Sequence, residues 1–155
     1  MRSDIEIRKV DGGLTFIVTE IVQRTIESVY PKYYPAGAVV YFKRLHAADA
    51  VRSDIEAGFV YVLCEDTVPI ATVTVKENHI LRLFVLPVHQ RCGYGTMLLD
   101  FAEGLIAEQY NTAVIDASFP AKQIYLKRGY TDTTFCAIQT ENGDYLCYDV
   151  MKKNL

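Results

Sequence analysis

The alternation of apolar and polar positions divides the chain into short, sharply punctuated segments. Ile5, Ile7 and Val10 alternate with Glu6, Arg8 and Lys9, the period of a half-buried strand. Asp11-Gly12-Gly13 ends it. Leu14, Ile17, Val18, Ile21, Thr25 and Val29 then recur three or four apart, which predicts a helix to about Tyr30. Pro31 and Pro35 bracket an irregular, aromatic stretch. Ala38 to Leu45 predicts a second short helix, and Ala48 to Ala57 a third with Gly58 just past its end. From Phe59 the period changes. Phe59–Cys64 and Ile70–Val75 read as strands, separated by Glu65-Asp66-Thr67, and Lys76-Glu77-Asn78 leads into a third run from His79. Three strands joined by short turns predict an antiparallel meander.

The third run ends at Pro87, which cannot supply a ladder donor. A polar link with Gly93 and Gly95 follows, and then Met97, Leu98, Phe101, Leu105 and Ile106 recur at helical spacing. A strand, a tight glycine turn and a helix N-terminus aim bare backbone N–H groups and the positive end of a helix dipole at one small volume. That is a site for a phosphate group. The helix, Tyr94 to about Tyr110, crosses to Ala113–Ala117, and such a crossover joins parallel strands. Ser118 is placed to cap a helix running to about Lys127, with Gly129 ending it. Thr131–Thr140 and Tyr145–Met151 flank Glu141-Asn142-Gly143-Asp144, a hairpin signal. The sum is an α+β (α/β three-layer) domain spanning 1–155, a mixed, mostly antiparallel sheet with one parallel step, flanked by helices.

Composition narrows the partners. The 155 residues suffice for one core, half of them are apolar and 23% are charged, which is globular. A net charge of −3 offers no bulk basic field, so nucleic acid is not expected. No run approaches the ~18 apolar residues of a membrane span, and Met1-Arg2-Ser3-Asp4-Ile5-Glu6 lacks a signal peptide's apolar centre. A cytoplasmic protein without a membrane partner is the expectation. Cys64, Cys92, Cys136 and Cys147 form no C-x-x-C and no metal-like spacing with His46, His79 or His89. They are expected as free thiols used in packing, and no metal is expected. The glycine turn is neither a P-loop nor a dinucleotide fingerprint: G-x-x-x-x-G-K-[ST] is missing, and Leu98 stands three after Gly95.

Gln90-Arg91-Cys92-Gly93-Tyr94-Gly95 fits Q/R-x-x-G-x-G/A, preceded by Leu83-Phe84-Val85-Leu86-Pro87. Ser118-x-x-Ala121-x-x-x-Tyr125-x-x-x-Gly129-Tyr130 follows in order. From about Ile80 to Tyr130 the chain resembles the GCN5-related N-acetyltransferase (GNAT) family. The resemblance implies the GNAT-like acyl-CoA N-acyltransferase fold and transfer of acetyl from acetyl-CoA to a primary amine, of a small molecule, by direct attack in a ternary complex. A protein or peptide acceptor, or a non-catalytic acyl-CoA-binding module, are the other readings. No cysteine has a clear base partner, which argues against an acyl-enzyme.

The same resemblance implies roles. Main chain at Leu83, Phe84 and Val85 would pair with the pantetheine arm and polarise the thioester. Gln90, Arg91, Cys92, Gly93, Tyr94, Gly95 and Thr96 would receive the pyrophosphate, with Arg91 adding a charge-assisted contact or remaining a solvated arginine. Tyr125 would contact the cofactor and act as general acid, since a phenol keeps its proton at neutral pH. Ser118 stands where the family usually has asparagine; its hydroxyl would bond pantetheine or only cap. The family's frequent carboxylate position holds Leu81, so Glu77 and His79 are the candidate bases, directly or through water. Tyr30, Tyr33, Tyr34 and Tyr41, with Tyr145, are candidate walls for the acceptor, or packing for the helical layer. The late strands, Thr131–Met151, are candidates for pairing in a homodimer.

Overall fold

A computed structural model describes residues 2–155; Met1 of the polar N-terminal segment lies outside the described residues. Its sheet contains β1 (Ile5–Lys9), β2 (Val60–Glu65), β3 (Val68–Lys76), β4 (His79–Val85), β5 (Thr112–Ala117), β6 (Thr131–Gln139) and β7 (Tyr145–Asn154). The spatial order is β1-β2-β3-β4-β5-β7-β6, and every neighbouring pair is antiparallel except β4 with β5. The helices are α1 (Thr15–Val29), α2 (Ala36–Leu45), α3 (Ala48–Glu56), α4 (Tyr94–Ala107) and α5 (Lys122–Lys127). The succession of elements along the chain and the single parallel step match the sequence expectation. None of these helices is long and apolar enough to cross a membrane.

One boundary differs. Ser118 does not cap α5, which starts four residues later with Ala121 at the cap position and no side-chain cap. Pro120 disfavours helical backbone at Phe119. Ser118 serves instead through its carbonyl, which accepts the N–H groups of Ala121 (3.1 Å) and Lys122 (3.0 Å).

Helices cover both faces of the sheet. On one, Leu98, Leu99, Ala102 and Ile106 of α4 pack with Leu63, Val73, Ile80 and Ile115. On the other, Ile21, Val22 and Ile26 of α1 share a core with Tyr30, Phe42, Phe84 and Leu146. Val18 of α1 and Val51 and Ile55 of α3 cover Val60, Val62 and Cys64. Cys64 is therefore a packing thiol, whereas Cys92 is exposed and Cys136 and Cys147 are half-buried; all four are free. Glu103 of α4, buried, ties its helix to the end of α5 and to β7: it accepts from the Arg128 guanidinium, from Lys153 Nζ at 2.6 Å and from the Tyr130 hydroxyl at 3.3 Å.

Two irregularities in β4 shape the functional region. Between the pairs Thr74↔Leu81 and Thr72↔Phe84, β4 sets two residues, Arg82 and Leu83, against Val73 alone. This is a β-bulge, and Arg82 takes φ +47°, a left-handed conformation that costs a non-glycine residue roughly 1–2 kcal/mol. The extra residue inverts the side-chain alternation. Ile80 packs under α4, while Phe84, four residues on, packs against Tyr30 and Phe42 on the opposite face. The second irregularity is a divergence. β4 pairs with β5 only at His79↔Val114 and Ile80↔Ile115. Beyond Ile80 the two strands part, and the edge of Leu81–Val85 that faces β5 has no strand partner.

Candidate functional site

Two cavities open where β4 and β5 diverge. The first, about 460 Å³, runs from Leu83, Phe84 and Val85 to the turn before α4. The second, about 400 Å³, lies between α2, the bulge and β5–β7. They share walls at Tyr30, Leu83, Phe84, Ser118, Ala121 and Tyr125. A molecule in one can thus meet a molecule in the other at that seam.

The turn leads into an uncapped helix N-terminus. Gly93 sits at the cap position of α4 with φ +88°, and no side chain caps the helix. Met97 N–H bonds the Gly93 carbonyl at 3.1 Å as the first α-helical bond, so the N–H groups before it are the orphan donors that a helix N-terminus presents. Gly95 lines the first cavity, and a Cβ there would meet nothing nearer than Val85 Cγ2 at 4.0 Å. Its missing side chain leaves space on the cavity side. Arg91, with φ +61°, Gln90, Tyr94 and Thr96 also line this cavity; Cys92 does not. Gln90 Nε2 donates to the Val85 carbonyl at 2.9 Å and braces the end of β4.

Glu65, unremarkable in sequence, holds the turn in place. Its carboxylate accepts from the Tyr94 hydroxyl at 3.0 Å, and His89 Nδ1 lies 3.4 Å from its other oxygen. Thr25 of α1 also reaches the cavity, its hydroxyl bonded to the Ile21 carbonyl at 2.7 Å. A hydroxyl on an otherwise apolar helical stripe was the signal for it.

Tyr125 is buried, lines both cavities and packs on Tyr130 with ring centroids 5.9 Å apart. Burial, with the neighbouring phenols of Tyr30 and Tyr130, pushes its pKa above the ordinary tyrosine value, so it stays protonated. Tyr30 is pushed up to about 12 by burial, which the nearby Ser118 side chain partly offsets. Ser118 thus faces the seam next to Tyr30.

The other tyrosines separate. Tyr41 lines the second cavity, and half-exposed Tyr33 lines the first. Tyr34 lines neither: its ring stacks on Phe119 at 4.9 Å and its hydroxyl accepts the Phe119 N–H at 2.8 Å, so it fastens the segment before α5. Tyr145 is exposed on the late hairpin and lines neither cavity. Tyr148, missed in sequence, stands in the second cavity.

Glu77 lies in the β3–β4 turn with φ +52° and lines neither cavity. The turn puts it at the opposite end of β4 from the seam. His79 is not a cavity wall either, but its Nε2 lies 3.2 Å from Oδ1 of Asp116, which is one. Asp116 was hidden in sequence because an acidic residue in a strand reads as the solvated face. His46 and Arg82, also unpredicted, form the far wall: Arg82 Nε donates to His46 Nδ1 at 2.9 Å. Burial, reinforced by the Arg82 charge, holds His46 down to about 4, with Asp54 pulling weakly the other way. Among the described residues no cluster of three His, Cys, Asp or Glu side chains is placed to hold a metal ion.

Comparison with known proteins bears on this geometry. A family described as "Acetyltransferase (GNAT) domain" matches residues 29–153. No curated protein sequence matches. A GCN5-related N-acetyltransferase of Rhodopseudomonas palustris superposes over 100% of this chain and 98% of its own, at 22% identity and TM-score 0.89. The PaiA N-acetyltransferase of Thermoplasma acidophilum, solved with coenzyme A, covers 98% of this chain and 99% of its own at 17% identity and TM-score 0.76. YncA of Salmonella typhimurium, solved with its cofactor acetyl-CoA, covers 99% and 95% at 20% identity and TM-score 0.73. At these identities the likeness is one of fold.

Proposed function

The chain belongs to the GNAT acetyltransferase family, and on that premise we propose that it transfers the acetyl group of acetyl-CoA to the primary amine of a small molecule in a ternary complex. The supporting observation is the pair of cavities meeting at Leu83, Phe84, Ser118 and Tyr125. One leads to an uncapped helix N-terminus suited to a diphosphate; the other is walled by aromatic rings and one carboxylate. Bound acetyl-CoA supplies a thioester, whose carbon–sulfur bond is exchanged for a carbon–nitrogen bond while one proton leaves the amine and one reaches the sulfur.

The chain's own residues divide this work. The free edge of β4 at Leu81–Val85 offers main-chain groups to an extended arm, and the N–H groups at the start of α4 hold the diphosphate. Arg91 adds charge at the mouth. The Tyr125 hydroxyl gives its proton to the leaving sulfur and recovers one from the nitrogen, which sheds its second proton as the amide forms. Asp116 attracts an ammonium and takes its proton, with His79 behind it as a relay to solvent. Tyr30, Tyr41, Phe42 and Phe84 exclude water and suit a cationic or apolar amine.

The test is CoA release from acetyl-CoA across small amines and peptides. Product from small amines supports the proposal; turnover of peptides alone replaces it with a peptide acetyltransferase, and tight binding without turnover with a silent acyl-CoA-binding module. One observation favours the peptide reading: a groove of about 550 Å³ between α2 and the β6–β7 hairpin adjoins the acceptor cavity at Tyr41 and Leu45.

The glycine turn makes a separate prediction. Gly95→Glu is expected to weaken coenzyme A about tenfold or more by calorimetry, because a carboxylate then stands in the anion's space, whereas Gly95→Ala, which the G/A position of the motif admits, should bind much as the wild type does. The melting temperature of the Gly95→Glu protein should not fall, since an acidic side chain is favourable in the first turn of a helix and a Cβ at this position meets nothing nearer than Val85 Cγ2 at 4.0 Å. Unchanged affinity in Gly95→Glu would remove the diphosphate from this turn.

A further inference from the structure

We propose that His46 reads an oxygen atom on the acceptor, so that the substrate is an amine that also carries a carbonyl group, as amino acids and their amides do. This rests on the acceptor cavity assigned above. His46 Nδ1 accepts the Arg82 Nε–H at 2.9 Å. A neutral imidazole whose Nδ1 accepts must carry its proton on Nε2. His46 lines the acceptor cavity, and among the described residues no protein group hydrogen-bonds its Nε2. The donor is held still. The ring lies against Phe42 (centroids 6.5 Å, stacked) and Phe84 (6.0 Å, edge-on), and Gln23 Nε2 donates to the His46 carbonyl at 3.0 Å.

Charge points the same way. Behind the ring, Arg82 and Lys76 share the single carboxylate of Asp54, which leaves one positive charge in excess. That pole suits an oxygen with negative or partial negative charge. The carboxylate of Asp116 belongs to the same cavity and suits an ammonium. Between them the walls are aromatic and aliphatic, including Tyr41, Phe42 and Leu83. A cavity of about 400 Å³ with one cation-accepting group and one oxygen-reading group matches a compact bifunctional molecule. An amine lacking the oxygen leaves the Nε2–H unpaired on binding, and a site built around such a hydrogen bond discriminates against that analogue.

The experiment compares phenethylamine, phenylalaninamide and phenylalanine, which share an aromatic body and differ at the carbonyl. Affinity is measured by calorimetry with CoA bound, and kcat/KM with acetyl-CoA, for the wild type, H46L and H46Q. The wild type is expected to favour phenylalaninamide over phenethylamine by at least about tenfold. H46L should bring that ratio close to one; H46Q, whose amide can both accept from Arg82 and donate to the ligand, should restore most of it. Differences in amine basicity cancel when each variant's ratio is divided by that of the wild type. Phenylalanine against its amide distinguishes a free carboxylate from an amide carbonyl as the oxygen read. A wild-type ratio near one, no binding of any of the three, or a ratio that survives in H46L overturns the proposal; if H46L does not fold, H46M takes its place in the same comparison. A binding preference without acetyl transfer would retire the catalytic reading and leave the role of His46 standing.

Discussion

Tyr125→Phe is expected to lower kcat by about 10²–10³, within the range of a lost general acid, while coenzyme A binds within about threefold of the wild-type affinity. The substitution removes one oxygen from a buried ring whose packing on Tyr130 is otherwise preserved. Tyr125 lines both cavities, the position this role requires. Burial raises its pKa above the ordinary value of 10.0, so the acid form persists through neutral and moderately basic solution. The kcat of the wild type should therefore show no loss of this acid between pH 7 and about pH 10. Steady-state rates at saturating acetyl-CoA, with calorimetry of CoA, make the check. Equal turnover by the two proteins would discard the role of Tyr125.

Asp54→Ala is expected to cost about 3–5 kcal/mol of folding stability at pH 7, the range for removing one partner of a buried ion pair. The Asp54 side chain is 7% exposed and accepts from both the Arg82 guanidinium and Lys76 Nζ, the latter at 2.6 Å. Its loss strands the Arg82 side chain, which is only 10% exposed, on a backbone already strained at φ +47°. Burial alone would raise the Asp54 pKa, but the hydrogen bonds and charges of Lys76 and Arg82 outweigh it and hold the carboxyl below its ordinary 3.8. A depressed acid contributes stability above its unfolded value and loses it as pH falls through the folded one. The gap between wild type and variant should thus be full above pH 4 and shrink in stronger acid. Urea denaturation at pH 7 and at pH 3 measures both. A gap below 1 kcal/mol at pH 7 would mean that the bulge does not depend on this carboxylate.

Local patterning was a good guide wherever a structural requirement is local. The period-two runs became strands, the helical stripes became helices, and Gly93 and Gly129 take the positive φ that only glycine adopts freely. The turn from Gln90 to Thr96 was legible because a strand, a glycine pair and a helix start are neighbours in the chain. Tyr34 was open between an acceptor wall and packing, and the packing role was not legible locally because its ring and hydroxyl are both engaged by Phe119, 85 positions away. Glu77 looked suitable beside the central strand, yet the direction of β4 sends it away from the seam.

By itself, the sequence determined the order of elements, the parallel crossover and the glycine turn into α4, since each follows from spacing within a few residues. Tertiary structure alone decided that β4 bulges at Arg82, that β4 and β5 part after Ile80, and that His46, Arg82 and Asp116 border one space. The physical reason is register. An extra residue in one strand is tolerated only where distant partners, here Asp54 and His46, hold its side chain, and no local pattern records who those partners are.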